Sequence, residues 1–354
     1  MQQVHVEYLQ PPEPLEESVD EHQLRKRALQ AFAGLAVLAA IALFAPGLGE
    51  VRSKLGDADP GWLVAAVVLE GLSCASYVVM FKPVFCDRMT WRSATELGLS
   101  ELAIGSIVPA SGAAGLALGA WALRKSGMPG IQIAQRSVAF FTIKSGANFV
   151  AVAVLGVLMF LGLGPSLSPL LTILPASLAT LAIAFVVVLP RILHEPERLA
   201  RRGPKWAAFA KFVGATGEGV RQAGHVLRRG DPRVIAGSLG YWFFDNLVLW
   251  ATFHAVGTTP PFTVVLMAYL IGQLGGLLPI PGGIGGIDGG LIGTFIVYGV
   301  AAAPTTAAVL AYRLILFWLP LAVGAIAFNN LNRGFKDQSR PDLCAPIPAR
   351  ATWS

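Results

Sequence analysis

Seven ionisable residues, Glu70, Glu101, Arg136, Lys144, Asp245, Asp288 and Arg313, sit inside long apolar stretches of the chain. A charge at membrane depth is costly, and it persists where it pairs, lines a wet cavity or meets a ligand. Asp288 closes the run Pro279-Ile280-Pro281-Gly282-Gly283-Ile284-Gly285-Gly286-Ile287-Asp288. Two prolines and four glycines in that run predict a broken helix. The freed N–H and C=O groups cannot face acyl chains, so they must face protein or a polar guest. The half-helix after the break, near Ile284–Gly290, offers unpaired N–H groups and the positive end of a helix dipole, which suits phosphate or carboxylate. Arg313, early in the last apolar span, supplies a planar fork of donors that matches phosphate. Asp288 and Arg313 are expected to meet, with Asp245 close by. The first half of the chain repeats the theme with Glu101 in a broken segment, Lys144 in the following span, and Pro109, Ser111 and Gly112 at the break. Plainer readings stand beside these. Gly115 and Gly119 suit close helix packing, paired charges can fix helix register, and Arg136 snorkels to an interface. A nucleotide loop is excluded, because no Gly-Lys-Ser/Thr follows the glycines.

The elements that must position these residues are membrane helices. The 354 residues are 54% hydrophobic and only 14% charged, with a mean hydropathy of +0.61, whereas a soluble domain carries roughly 25% charged residues. A span needs about 20 apolar residues as a helix. Runs at 28–47, 61–81, 132–162, 166–190, 234–256 and 304–328 qualify, and stretches 95–123 and 262–300 are apolar but interrupted by Pro and Gly. Segments 25–27, 82–94, 124–130, 191–233 and 333–350 hold 22 of the 27 Lys and Arg residues, while the connections near 163–165, 257–261 and 301–303 hold none. Basic loops stay cytoplasmic. Stretch 95–123 therefore enters and leaves on the cytoplasmic side and 262–300 on the other, each as a re-entrant hairpin. The net charge of +6 is in this way a topology signal, and no nucleic-acid partner is expected.

The two interrupted stretches also match each other. An offset of 170 pairs Gly105 with Gly275, Pro109 with Pro279, Gly112 with Gly282, Gly115 with Gly285 and Gly119 with Gly289. Broken segments in matching positions of two oppositely oriented halves mark the binding site of secondary transporters. The predicted fold is thus an all-α, polytopic helical membrane protein with two broken-helix hairpins related as inverted-topology repeats. Residues 1–27 form a cytoplasmic tail, 28–190 the first repeat, 191–233 a basic cytoplasmic loop, 234–330 the second repeat and 331–354 a second cytoplasmic tail. Loop 191–233 carries ten basic and four acidic residues, with Trp206, Phe209, Phe212 and Val213 at near-helical spacing. It reads either as an interfacial helix on anionic lipid or as a solvated linker. Cys74, Cys86 and Cys344 are scattered and the five histidines do not join them, so neither a disulfide framework nor a metal site is indicated, and no cofactor is expected.

At LGGLLPIPGGIGGIDGGL (274–291) and YRLILFWLPLAVG (312–324) the chain resembles the lysyl-phosphatidylglycerol synthase transmembrane, flippase-like family. The family pattern lands on Pro279, Pro281, Gly282, Gly283, Ile284, Gly285, Asp288, Arg313, Trp318 and Pro320. Many members have Glu at Asp288 and charged residues around Gly112–Leu123, where this chain is almost entirely Ala, Gly and Leu. The resemblance implies a translocator of lipids between leaflets, aminoacylated phosphatidylglycerol in the best-known relatives. With only a short tail after the last span, the chain is expected to correspond to the translocation half without the synthase domain. The resulting expectation is a non-enzymatic lipid translocase of a bacterial inner membrane, working by alternating access, with membrane lipids as partners. A second copy of the chain or a lipid-modifying enzyme are further partner classes. The alternatives are a small-anion or solute transporter, a membrane enzyme acting on a lipid phosphate, and a scaffold for lipid-modifying enzymes.

Overall fold

The computed structural model of the chain describes residues 49–107, 113–126, 128–165, 168–192, 203–273 and 286–336. Among them are eleven helices and no strand: α1 (Gly49–Gly56), α2 (Pro60–Phe85), α3 (Trp91–Ile107), α4 (Ala113–Lys125), α5 (Gly130–Phe160), α6 (Pro169–Ile192), α7 (Pro204–Arg228), α8 (Pro232–Ala255), α9 (Phe262–Gly272), α10 (Gly286–Val297) and α11 (Ala302–Lys336). Five of them, α2, α5, α6, α8 and α11, are long and apolar enough to cross a bilayer. The protein is a polytopic helical membrane protein. These five cover the spans expected from 61–81, 132–162, 166–190, 234–256 and 304–328; the one expected at 28–47 lies outside the described residues. Both interrupted stretches are pairs of shorter helices, α3 with α4 and α9 with α10. At 1.5 Å per residue α9 and α10 reach only about 17 Å each, short of the ~30 Å hydrocarbon core.

The bundle is organised around α2 and α8, which run antiparallel along their whole lengths. Both open on the same signal. Asp59 and Asp231 are N-caps that accept from the N–H groups of Gly61 (2.7 Å) and Arg233 (2.9 Å), and proline occupies the first helical position after each. At one end the Asp59 N–H donates to Ala255 O at 2.8 Å. At the other, Arg233 pairs with Asp87 at 2.9 Å and with Asp231 at 2.6 Å, and its hydrogen bonds hold both carboxyls below the usual carboxylate range. Between these ties Ser73 Oγ donates to Tyr241 O at 3.2 Å. Gly237 lies so close to α2 that a Cβ there would stand 2.6 Å from Met80 N and 2.7 Å from Ser76 O.

Each of the four helices α2–α5 has a counterpart in α8–α11, and the packing repeats with them. The pairs α2·α3, α3·α4, α4·α5 and α2·α5 recur as α8·α9, α9·α10, α10·α11 and α8·α11. Across the halves, α3 lies on α11 and α9 lies on α5. Those two crossings use positions 168 apart. A Cβ on Gly324 would meet Leu99 O at 2.4 Å, and one on Gly156 would meet Met267 Cε at 3.4 Å and Thr172 O at 2.5 Å. Gly156 and Gly324 are 168 residues apart, as are Leu99 and Met267. One buried apolar cluster gathers Tyr77–Phe85 of α2, and Cys86 and Met89 just after it, with residues of α3, α4 and the start of α5; the other gathers Ala66 of α2 with residues of α9, α10 and the end of α5. The two broken pairs therefore pack at opposite ends of the bundle.

Residues 204–228 of the basic loop form one helix, α7, docked on α5 and α6, rather than a solvated linker. Within it Ala223 is buried and Trp206 is exposed. Arg136 donates a hydrogen bond to Phe85 O, placing its charge at the C-terminal end of α2 where carbonyls lack helical partners. Cys74 is a free, buried thiol.

Two measurements check this architecture. In a variant lacking the native cysteines, single cysteines at the exposed positions Arg92 and Arg124 are expected to react with an impermeant reagent from the same membrane face. Labelling from opposite faces would show that α3–α4 crosses the bilayer. Gly324→Leu and Gly156→Leu are expected to lower stability by about 1–3 kcal/mol through overpacking, read as a fall in Tm in detergent. An unchanged Tm would mean that the helices do not touch there.

Candidate functional site

Between the two apolar clusters the middle of the bundle is polar. Asp288, in the first turn of α10, accepts from Arg313 Nε of α11 at 2.6 Å, with side chains only 10% and 13% exposed. An acid in the first turn faces the positive end of the helix dipole, so Asp288 is held by both the backbone and the guanidinium. One residue before Arg313, Tyr312 donates to Asp245 Oδ1 at 3.0 Å, and Tyr269 of α9 donates to Asp245 Oδ2. Asp245 is thus fully bonded while buried. The three acids and bases that the sequence expected together in the second half do converge, joined through consecutive residues of α11.

The first half builds a related but different arrangement. Tyr77 of α2 donates to Glu101 Oε2 at 2.9 Å. The other oxygen, Oε1, lies against Gly119 of α4, where a Cβ would be 1.6 Å away. Any side chain at Gly119 would displace the carboxylate, so this glycine holds space for Glu101 rather than merely letting two helices approach. The Lys144 ammonium of α5 stands 5.3 Å from the Tyr77 ring centre and 5.1 Å from that of Tyr241, a cation–π cradle. No ion pair joins Lys144 to Glu101 among the described residues; they share Tyr77. Tyr77 and Tyr241 are themselves in ring contact at 5.5 Å. A continuous path of polar and aromatic groups therefore runs from Glu101 through Tyr77, Tyr241 and Asp245 to Arg313 and Asp288.

The two constellations obey the spacing of the packing contacts. Tyr77, Glu101 and Lys144 correspond, 168 residues on, to Asp245, Tyr269 and Tyr312. The tyrosine–carboxylate hydrogen bond is kept with its ends exchanged: a tyrosine on α2 donates to an acid on α3, and an acid on α8 accepts from a tyrosine on α9. This spacing is two short of the 170 that aligns the Gly–Pro text. Pro109, Ser111, Gly112, Pro279, Pro281, Gly282, Gly283, Ile284 and Gly285 lie outside the described residues, and Gly286 is the first residue of α10. Among the described residues no group of three or more His, Cys, Asp or Glu is placed to hold a metal ion.

The profile of the family described as Lysylphosphatidylglycerol synthase TM region matches residues 31–324, which include both broken segments and every member of the polar path. The chain belongs to this family. It is similar to a UPF0104 membrane protein of Methanothermobacter thermautotrophicus (strain Delta H), 27% identical over 331 residues that cover 85% of this chain and 94% of that protein. Over shorter stretches it is 40% identical across 91 residues and 36% across 90 to UPF0104 membrane proteins of the same organism, each about a quarter of either chain.

Within this Lysylphosphatidylglycerol synthase TM region member, the residues that sequence reasoning missed are tyrosines. Four of the chain's six, Tyr77, Tyr241, Tyr269 and Tyr312, lie on the path. A signal was present: Tyr77 precedes Glu101, and Asp245 precedes Tyr269, by the same 24 residues. The ion pair gives a quantitative test. Asp288→Ala or Arg313→Ala alone is expected to cost about 3–5 kcal/mol, because each strands a buried charge. The double variant should cost less than the sum by about 1 kcal/mol or more. Denaturation of all four proteins in one detergent checks this, and additive losses would dissolve the pair.

Proposed function

We propose that the protein is a lipid translocator that moves an anionic or aminoacylated phospholipid, or a related lipid, between leaflets, and is not an enzyme. The observation that carries this reading is the buried Asp288–Arg313 pair at the start of a short half-helix too brief to span the bilayer. A phosphate has three attractions there: helix N–H groups, the dipole and a guanidinium. Its arrival would compete with Asp288 for Arg313, so binding would exchange one anion partner of Arg313 for another and leave Asp288 to the positive end of the helix dipole. The acyl chains would stay in the bilayer while the headgroup enters the polar layer. Family membership supports a lipid-related role.

Alternating access is supported by the antiparallel course of α2 and α8, by the placement of the broken pairs at opposite ends, and by the recurrence of packing contacts at a spacing of 168. These are the features that an inverted-topology repeat would give. In that reading both termini are cytoplasmic in a bacterial inner membrane, and α7 rests its basic side on anionic lipid. The rival reading is a transporter of small anions on the same scaffold. It uses the same Arg313 and differs in what crosses.

Liposomes holding the full chain and fluorescent lipids of several headgroups separate these readings. Headgroup-dependent leaflet exchange is expected, reduced at least about tenfold by Arg313→Ala, the cost of one charge-assisted hydrogen bond or more, and partly kept by Arg313→Lys. Anion flux without lipid exchange would establish the rival. Chemical conversion of the added lipid would replace both with an enzyme.

A further inference from the structure

Glu70 belongs to none of the pairs above. It lies at the middle of α2 and is 5% exposed. One carboxylate oxygen, Oε1, accepts only from Cys74 Sγ at 3.6 Å, a weak donor. The other, Oε2, is buried with no hydrogen-bond partner among the described residues. The charge nearest in effect is a second carboxylate, Asp245, across the α2–α8 crossing. Groups from every neighbouring helix are already committed. Tyr241 of α8 cradles Lys144, Tyr269 of α9 and Tyr312 of α11 are spent on Asp245, Arg313 is bonded to Asp288, and Glu101 of α3 is turned to Tyr77. Across this layer four acids, Glu70, Glu101, Asp245 and Asp288, face two cations, Lys144 and Arg313. A bare surplus carboxylate in such surroundings is not sustainable. Lys144 acts on Glu101 and Asp245, and Arg313 on Asp245, which among the described residues leaves Glu70 as the acid of this layer that no cation offsets.

We propose that Glu70 is a proton-exchange site, a carboxylic acid whose O–H bond forms when the layer is closed and breaks, passing the proton to water, when one end of the bundle opens. Loss of that proton places two anions across the α2–α8 crossing. Repulsion between Glu70 and Asp245 then favours separation of α2 from α8 at that level, and uptake of a proton from the other side closes it. The role in transport rests on the translocator reading above; the proton site itself does not.

Infrared difference spectroscopy of the purified full chain, titrated with acid and base, tests the site directly. A protonated-carboxyl C=O band is expected that disappears on alkaline titration, shifts in heavy water and on carbon-13 labelling of glutamate, and is absent from Glu70→Gln. Glu101→Gln should keep it. If Glu70→Gln retains the full band, or if no glutamate band exists, the proposal is overturned. Where Glu70→Gln folds poorly, Glu70→Asp in the carbon-13-glutamate-labelled chain decides it: the labelled component of the band is expected to vanish, and its full retention overturns the proposal. In liposomes, lipid exchange by the native chain is expected to change at least severalfold with the direction of a pH gradient, and Glu70→Gln to lose that response while keeping gradient-independent exchange. Exchange indifferent to the gradient overturns the coupling. An absence of any lipid exchange defeats the lipid reading instead, and the infrared result still stands or falls for Glu70.

Discussion

Gly237 and Gly240 let the backbone of α8 settle against Ser76 and Met80 of α2, and the polar middle of the protein depends on that closeness. Side chains one turn away are forced to meet. Tyr77 and Tyr241 touch, Ser73 reaches Tyr241 O, and Glu70 and Asp245 fall within each other's field. In lipid there is little hydrophobic gain in bringing two apolar helices together, so close approach and interhelical hydrogen bonds must hold them. The ties at the two ends, Asp59 to Ala255 and Asp87 to Arg233, fix the register in which these groups oppose one another. A slip of one residue would turn every one of these side chains by about 100°.

Given that register, tyrosine is the residue that makes buried acids tolerable. A phenol carries no charge, fills a large apolar volume and ends in one donor. Asp245 takes two of them, so its burial adds no demand for a cation. Glu101 takes one, with the remaining oxygen seated at Gly119. Networks of this kind are costly when incomplete. Among the described residues Glu101 Oε1 and Glu70 Oε2 are the buried carboxylate oxygens left without a partner. Glu101 has a phenol on its other oxygen and Glu70 only a thiol, so Glu70 is the less complete member, and in the proposal its charge state would act on the helix pair that organises the bundle.

The spans were legible because about 20 apolar residues in a row have one stable fate in lipid. The breaks were legible because Pro and Gly interrupt helices whatever surrounds them. The Asp288–Arg313 pair was legible for a related reason: intramembrane charges are few, and opposite signs have few places to go. What the residues alone did not show is how Lys144 and Glu101 relate. Periodicity places each on a helix, but only packing reveals that Tyr77 stands between them. The role of Gly119 was hidden for the same cause, since small-residue spacing cannot distinguish a helix contact from a cavity kept for a side chain. For 191–233, amphipathic spacing was equally compatible with a helix in solvent or on lipid, and the docking of α7 on α5 and α6 is a tertiary fact.

The two halves share a skeleton and differ in charge. Where the first has Lys144 the second has Tyr312, and Arg313 comes one residue later to meet an acid, Asp288, whose counterpart 168 residues earlier is Ala120. Symmetric backbones with unequal side chains give two ends that can open by similar motions yet hold a ligand differently. In the second half the cation is bound to a carboxylate, from which a phosphate would draw it in the proposed translocator. In the first, Lys144 rests on aromatic faces, a weaker hold that an arriving anion would replace with little penalty. A headgroup leaving Arg313 would thus find a second cation on the far side of the α2–α8 crossing, with Asp245 and Glu70 between. Two anions in that position form a barrier to a phosphate unless one of them is neutral. In the proposed translocator a proton on Glu70 would lower that barrier, and the passage of a negatively charged guest would follow the charge state of a single carboxyl group.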